Sequence, residues 1–203
     1  MSVDAMRLTD GLSVGVEAPL GDKLGWQCNW LLRKYDEKAT RKAEKVYGYA
    51  PKDEDFWELG LQAFEERLTR GNSLTTAGLG RIATLLNAGT GNLIASTTAR
   101  VGAGDGSTAF AIGDTDLSAA AGSTHRYFMT CTVTIPSNVL TFAASFGSAD
   151  GNFTWSEWGI DIGTATVSAG TTVNAVLLNR KVASNGTKAS GQTWTATATI
   201  TIS

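Results

Sequence analysis

Period two dominates the back of the chain. "TWTATATITIS" at residues 193–203 sets Trp194, Ala196, Ala198, Ile200 and Ile202 on one side and five threonines on the other. That is the alternation of a strand with one apolar face. "RYFMTCTVTI" alternates in the same way, with Tyr127, Met129, Cys131, Val133 and Ile135 against Arg126, Phe128 and three threonines. A Pro136-Ser137-Asn138 turn leads to "VLTFAASF", where Leu140, Phe142, Ala144 and Phe146 share a side, so the two runs predict a hairpin. "EWGIDIG" and "VNAVLLNRKV" predict two further short strands. The expected fold is mainly β: a small antiparallel β-sandwich or barrel in the C-terminal two thirds.

Upstream of these strands the period changes. "SLTTAGLGRIATLLNAGTG" predicts one short helix, capped by Thr75 or Thr76, striped by Leu79, Ile82, Leu85 and Leu86, and stopped by Gly89. Earlier still the pattern divides. "WQCNWLLRKYDEKATRKAEKV" fits a helix, because Trp26 and Trp30 are four apart, and equally fits a strand through "CNWLLRKY" with a charged turn behind it. "FWELGLQAFEERLTR" carries the same ambiguity and leans to helix.

Charge sharpens this division. Residues 1–72 hold 11 of the 17 Lys/Arg and 13 of the 19 Asp/Glu. Two parts follow: a charged, partly helical N-terminal region over 1–72, and a helix plus antiparallel β-domain over 73–203. A hydrophobic content of 42% is enough for a core, and a net charge of −2 supplies no positive field for nucleic acid or anionic membrane. The start lacks a basic stretch followed by an apolar one, and no run approaches the roughly 18 apolar residues of a span. Cys28 and Cys131 are too few and too far apart for a disulfide framework or a metal knuckle. The expectation is a chain made in a reducing compartment.

Candidate chemistry is thin. "GAGDGST" has no Lys where a Walker loop needs one, "VGAGDG" lacks the third glycine of a dinucleotide fingerprint, and no helix follows to aim amides at phosphate. Asp105, Asp114 and Asp116 offer three carboxylates without the order of a calcium loop. The run therefore reads as a connector, its Gly and Asp chosen for the backbone angles they tolerate. His125 has no nucleophile elbow to serve. Glu157, between Trp155 and Trp158, is the acid best placed for chemistry, since a carboxyl among indoles has the setting of a glycosidase acid. It lacks a second carboxylate, because Asp150 and Asp161 sit in turn-like contexts, so the favoured reading is a structural bond to Arg180 or to backbone. Trp155, Trp158 and Trp194, with Trp26 and Trp30 upstream, read as core or subunit-contact residues, and secondarily as stacking platforms for sugar. "RKYDEKATRKAEK" mixes its signs and reads as a solvated face. No catalytic, cofactor or metal residue is predicted.

The order of the motifs carries more than any one of them. "GNSLTTAGLGRIATLLNAG", "ARVGAGDGSTAFAIGDTDL", "FGSADGNFTWSEWGI" and "LLNRKVASNGTKASGQTWTATATITIS" follow one another over about residues 70–203. In that order they resemble a family of tailed-bacteriophage virion structural proteins, of the tail, tail-fibre-like or capsid-associated kind. The resemblance implies a non-enzymatic assembly role in the virion after synthesis in the host bacterial cytoplasm. It also implies other virion proteins as partners, either tail or major capsid subunits. Residues 1–72, nearly all outside the resemblance, are expected to be an attachment region. A homo-oligomer is expected, with a trimer as one form, since closed symmetry buries sheet edges. The first address is tail, fibre or baseplate; the alternative is a capsid decoration or head-fibre protein. A module binding host surface glycans through its tryptophans is the alternative of another class. Within the resembling motifs, Gly102, Gly104 and Gly106 are expected to permit a tight connector, Glu157 and Arg180 to pair, and Asn152 to brace the turn before Phe153 by bonding to its own backbone.

Overall fold

The alternating runs pair as strands with their apolar sides turned inward. The computed structural model describes residues 25–71, 73–88, 93–163, 167–168, 171–172 and 176–202. Its elements are β1 (Trp26–Tyr35), α1 (Glu37–Tyr47), α2 (Asp53–Glu58), β2 (Glu65–Arg70), β3 (Ser73–Leu74), α3 (Thr76–Ala88), β4 (Ala99–Gly104), β5 (Arg126–Thr130), β6 (Thr132–Thr134), β7 (Val139–Phe146), β8 (Thr154–Ile162), β9 (Val167–Ser168), β10 (Thr171–Thr172), β11 (Val176–Thr187) and β12 (Thr193–Ile202). One sheet runs β2-β1-β12-β7-β6 and the other β3-β11-β8-β4-β5, with β9 and β10 forming a separate pair. Every pairing is antiparallel. The inner faces meet in one apolar cluster, to which the first sheet gives Trp30, Leu32, Phe142 and Ile200 and the second gives Val101, Trp158, Ile160 and Leu178. The chain is a small antiparallel β-sandwich.

The sandwich does not begin at residue 73. "WQCNWLLRKY" is a strand, β1, inserted between β12 and β2, with Trp26 opposite Ile202 and Tyr35 opposite Thr193. Its Cys28, Trp30 and Leu32 are fully buried in the shared core. The compositional step at residue 72 is therefore not a boundary in the packing. The helical reading of "FWELGLQAFEERLTR" is corrected in part: α2 ends at Glu58 and "EERLTR" is an edge strand. Helix α1 starts where Asp36 accepts from Ala39 N at 2.8 Å and ends at Gly48 with φ of 75°. With α2 it covers the outer face of the first sheet, where Tyr35 and Phe56 stack at 3.6 Å between centroids. Thr195 lies under this layer, bonded to Asp53 at 2.6 Å, so part of the threonine face of β12 is buried.

The predicted hairpin is also more divided than its alternation suggests. "RYFMTCTVTI" breaks at Cys131: β5 pairs with β4 in the second sheet, and only β6 turns back onto β7. Of "VNAVLLNRKV", residues 173–175 lie outside the described residues, and β11 runs on to Thr187. Helix α3 is capped by Thr75, whose Oγ1 accepts from Gly78 N at 2.9 Å. Thr75 also donates through N to Leu178 O at 3.1 Å and through its hydroxyl to Leu177 O. A Cβ at Gly78 would overlap the Leu178 carbonyl, so this glycine lets the helix sit directly on β11. The expected stripe is only partly used: Ile82 packs on the core, whereas Leu79 and Leu86 are exposed. Gly89 lies outside the described residues.

Candidate functional site

The glycine-rich run is the lid of the second sheet. After β4 the chain crosses the outer face of that sheet as a long loop, residues 105–125, before returning as β5. Asp105 and His125 close its base: Asp105 N donates to His125 O at 2.9 Å, and the imidazole Nδ1 lies 2.7 Å from Asp105 Oδ2. Gly102 stands opposite Gly159 and opposite Phe128, whose ring occupies the space a Cβ at Gly102 would need. Leu117 comes down from the loop onto Gly159 and is buried. A Cβ at Gly104 would sit 2.8 Å from Glu157 Oε1, and one at Gly106 would overlap Ser118 and the Ala119 amide. None of Gly102, Gly104 and Gly106 has a positive φ. The sequence reading of these glycines as angle-tolerant is corrected: they are there for space, so that the loop can lie against the sheet.

What fastens the loop is a buried charge network. Arg180 projects from β11 and Glu157 from β8, with Arg180 Nε donating to Glu157 Oε2 at 2.5 Å. The same guanidinium donates through NH1 to Asp114 Oδ2 at 2.7 Å, and through NH2 to Thr108 O at 2.7 Å and Ser118 Oγ at 2.8 Å. Glu157 also accepts from Ser118 N and Ser118 Oγ, both at 3.1 Å, and from Ala119 N at 2.7 Å. Arg180 is 1% exposed and Glu157 0%. The bond to Arg180 and to backbone is the reading of Glu157 that the structure bears out, and the two flanking indoles do not surround its carboxyl. Trp155 and Trp158 turn into the core, and the carboxylate turns to the loop. Three donors converge on Oε2 and one on Oε1, and the group is closed off from solvent. It is a fastener.

The other loop acids are engaged one by one. Asp105 meets His125, Asp114 meets Arg180, and Asp116 meets Arg126 at 2.7 Å. Among the described residues no group of three or more acids, histidines or cysteines is gathered as a metal site. Asp161 is not in a turn. It lies in β8 opposite Arg100, is 3% exposed, and burial pushes its carboxyl up to about 8. Asp116 adds to that rise, while Arg126 and Arg100 oppose it. A carboxyl that holds its proton more tightly folded than unfolded withdraws stability as pH rises from about 4, its ordinary value, toward 8. Asp161→Asn is therefore expected to gain stability over the parent chain progressively between pH 5 and pH 8. Denaturant midpoints measured across that window check this, and a constant difference would contradict it.

A second strut was not read from the sequence. Lys188, in the "TK" of the last motif, is 1% exposed and donates to Gly147 O at 2.8 Å and to Asn152 Oδ1 at 2.7 Å. Burial lowers its amine to about 8. Asn152 in turn donates to Ser148 O at 3.0 Å, so it braces the turn through Lys188 and a carbonyl four residues back and not, as the sequence suggested, by bonding to its own backbone. Nothing marks a buried lysine in a Thr-rich segment, and composition alone places it outside.

Four of the six tryptophans, Trp30, Trp155, Trp158 and Trp194, are interior. Trp30 stacks on Trp158 across the two sheets at 4.7 Å and 14°, and Trp155 meets Phe146 and Trp194 edge-on at 4.6 and 5.0 Å. Trp26 packs partly buried against the same cluster. Only Trp57 of the six is exposed, with Arg33 over its ring at 4.9 Å. Trp155 and Trp158 are thus unavailable as sugar platforms. The start of the "solvated" basic stretch is also drawn in. Arg33 binds Asp53 and Glu66, each at 2.7 Å, and Lys34 is 4% exposed, bonded to Glu65 at 2.8 Å and to Asn185 O at 2.6 Å. Beside Arg180 an open cleft of about 630 Å³ is lined by Gly71, Ser73, Ser107, Phe110 and Lys181. Of its two cations, Arg180 is committed to Glu157 and Asp114, and Lys181 donates to Arg70 O at 3.3 Å. No protein-family model, curated protein or solved structure matches this chain.

Proposed function

We propose that this chain is a non-enzymatic structural component of a tailed-bacteriophage virion, at the tail, fibre or baseplate. The observation that carries this reading is the fate of Glu157. The acid best placed for chemistry is wholly buried, with both carboxylate oxygens bonded, to Arg180, Ser118 and Ala119. The residues of the resembling motifs converge on fastening: Gly104, Gly106, Asp114, Glu157 and Arg180 on the loop, Asn152 and Lys188 on the neighbouring turn. A sandwich whose buried polar motif residues hold a loop and a turn in place is suited to being built into a larger assembly. Its partners there are other virion proteins.

The decisive experiment is protein mass spectrometry of purified particles with copy number, followed by cryo-microscopy. A few copies per particle at the tail are expected. Hundreds of copies on the lattice would move the protein to the capsid-decoration or head-fibre address, and absence from particles would overturn the reading.

A further inference from the structure

The outer strand of the first sheet carries a self-complementary edge. Gly71 N donates to Cys28 O at 2.9 Å, just beyond the β1–β2 ladder that pairs Asn29 with Arg70 and Lys34 with Glu65. Antiparallel bonding alternates along a strand, so residues 65, 67 and 69 face β1 and residues 66, 68 and 70 turn their N–H and C=O outward. Lys181 Nζ, 3.3 Å from Arg70 O, marks that direction. Among the described residues nothing bonds the outward backbone groups of Glu66 and Leu68. Leu68 is 56% exposed.

A row of unpaired backbone groups is a template for another strand, and edge charges normally discourage one. Here the charges are ordered so that they select one. With β2 antiparallel to its own copy and centred on Leu68, Glu66 faces the partner's Arg70 twice and Leu68 faces the partner's Leu68. Slipping by two residues in either direction sets a charge against leucine. Arg33 already holds Glu66 through Oε1 at 2.7 Å, which orders the carboxylate and leaves Oε2 for the partner's Arg70. We propose that β2 is a homodimer edge, joining two copies into one continuous ten-stranded sheet through about four backbone bonds in this register, those that do not call on the Arg70 carbonyl already engaged by Lys181. The contact is two-fold, so it closes at two copies and not three. It stands apart from the virion reading, since absence from particles leaves the pairing intact and a monomer leaves the virion reading intact.

The test is light scattering on the full chain at micromolar concentration, with three variants. The parent is expected at twice the chain mass. Leu68→Cys is expected to oxidise to a covalent dimer, because bonded antiparallel neighbours sit about 5.5 Å apart at Cα, within the reach of a disulfide. Arg70→Glu puts like charges in both pairs and is expected to weaken association roughly tenfold or more. Leu68→Pro removes an outward N–H while sparing the bonds to β1, and is expected to be monomeric. A monomeric parent, or a dimer unchanged by both Arg70→Glu and Leu68→Pro, overturns the proposal.

Discussion

Arg180→Ala is expected to remove about 3–5 kcal/mol of stability, the usual cost of breaking a buried ion pair from one side. The loss is large because the substitution deletes more than a contact. Glu157 is left at 0% exposure with an uncompensated charge, and Asp114, Thr108 O and Ser118 Oγ lose their shared donor. Denaturant unfolding measures it. Against a total of about 5–15 kcal/mol for a domain, the variant is expected to sit near the limit of folding. The double variant Arg180→Ala/Glu157→Gln is expected to be more stable than Arg180→Ala alone, because the stranded charge has gone. Limited proteolysis gives an independent readout, since residues 105–125 are held to the sheet by this network and become cleavable without it. A loss under about 1 kcal/mol would place the pair with solvent-screened surface bridges and remove the loop-fastening account.

The sequence shows this network only in fragments. The "GAGDGST" run and the "FTWSEWGI" and "LLNRKV" segments are each visible, and Glu157 with Arg180 is the one pairing that adjacent strands suggest. The convergence of Ser118, Ala119 and Asp114 on the same two side chains depends on how a long loop folds back, which local pattern does not encode. The glycines mislead for a related reason: composition cannot separate a glycine needed for a positive φ from one needed for space.

The strands divide in the same way. β12 is legible because its apolar residues alternate strictly, and β7 because a turn precedes it. β1 is ambiguous because a spacing of four, as in Trp26 and Trp30, satisfies both a two-residue and a 3.6-residue period. β2 is hidden because an edge strand of "EERLTR" has no apolar face to alternate. The split of residues 126–134 between two sheets leaves no mark in a pattern that continues unbroken through Cys131.

Trp158→Ala is expected to cost about 3–5 kcal/mol, as for an aromatic removed from a core. Trp158 and Trp30 are both at 0% exposure and stack where the two sheets meet, so truncation leaves a cavity that two rigid sheets cannot close. Trp158→Phe is expected to cost much less than the alanine change. Neither Trp158 Nε1 nor Trp30 Nε1 has a hydrogen-bond partner among the described residues. A phenyl ring keeps most of the apolar contact and removes a buried donor that carries its own desolvation penalty of about 1–3 kcal/mol. Denaturant midpoints for the pair of variants separate the two contributions. The same pair decides between interior and surface roles for the tryptophans. A folded Trp158→Ala of parental stability that loses binding on a glycan array would mean the indole faces a ligand, whereas the sandwich requires instability in the alanine variant and near-parental behaviour in the phenylalanine one.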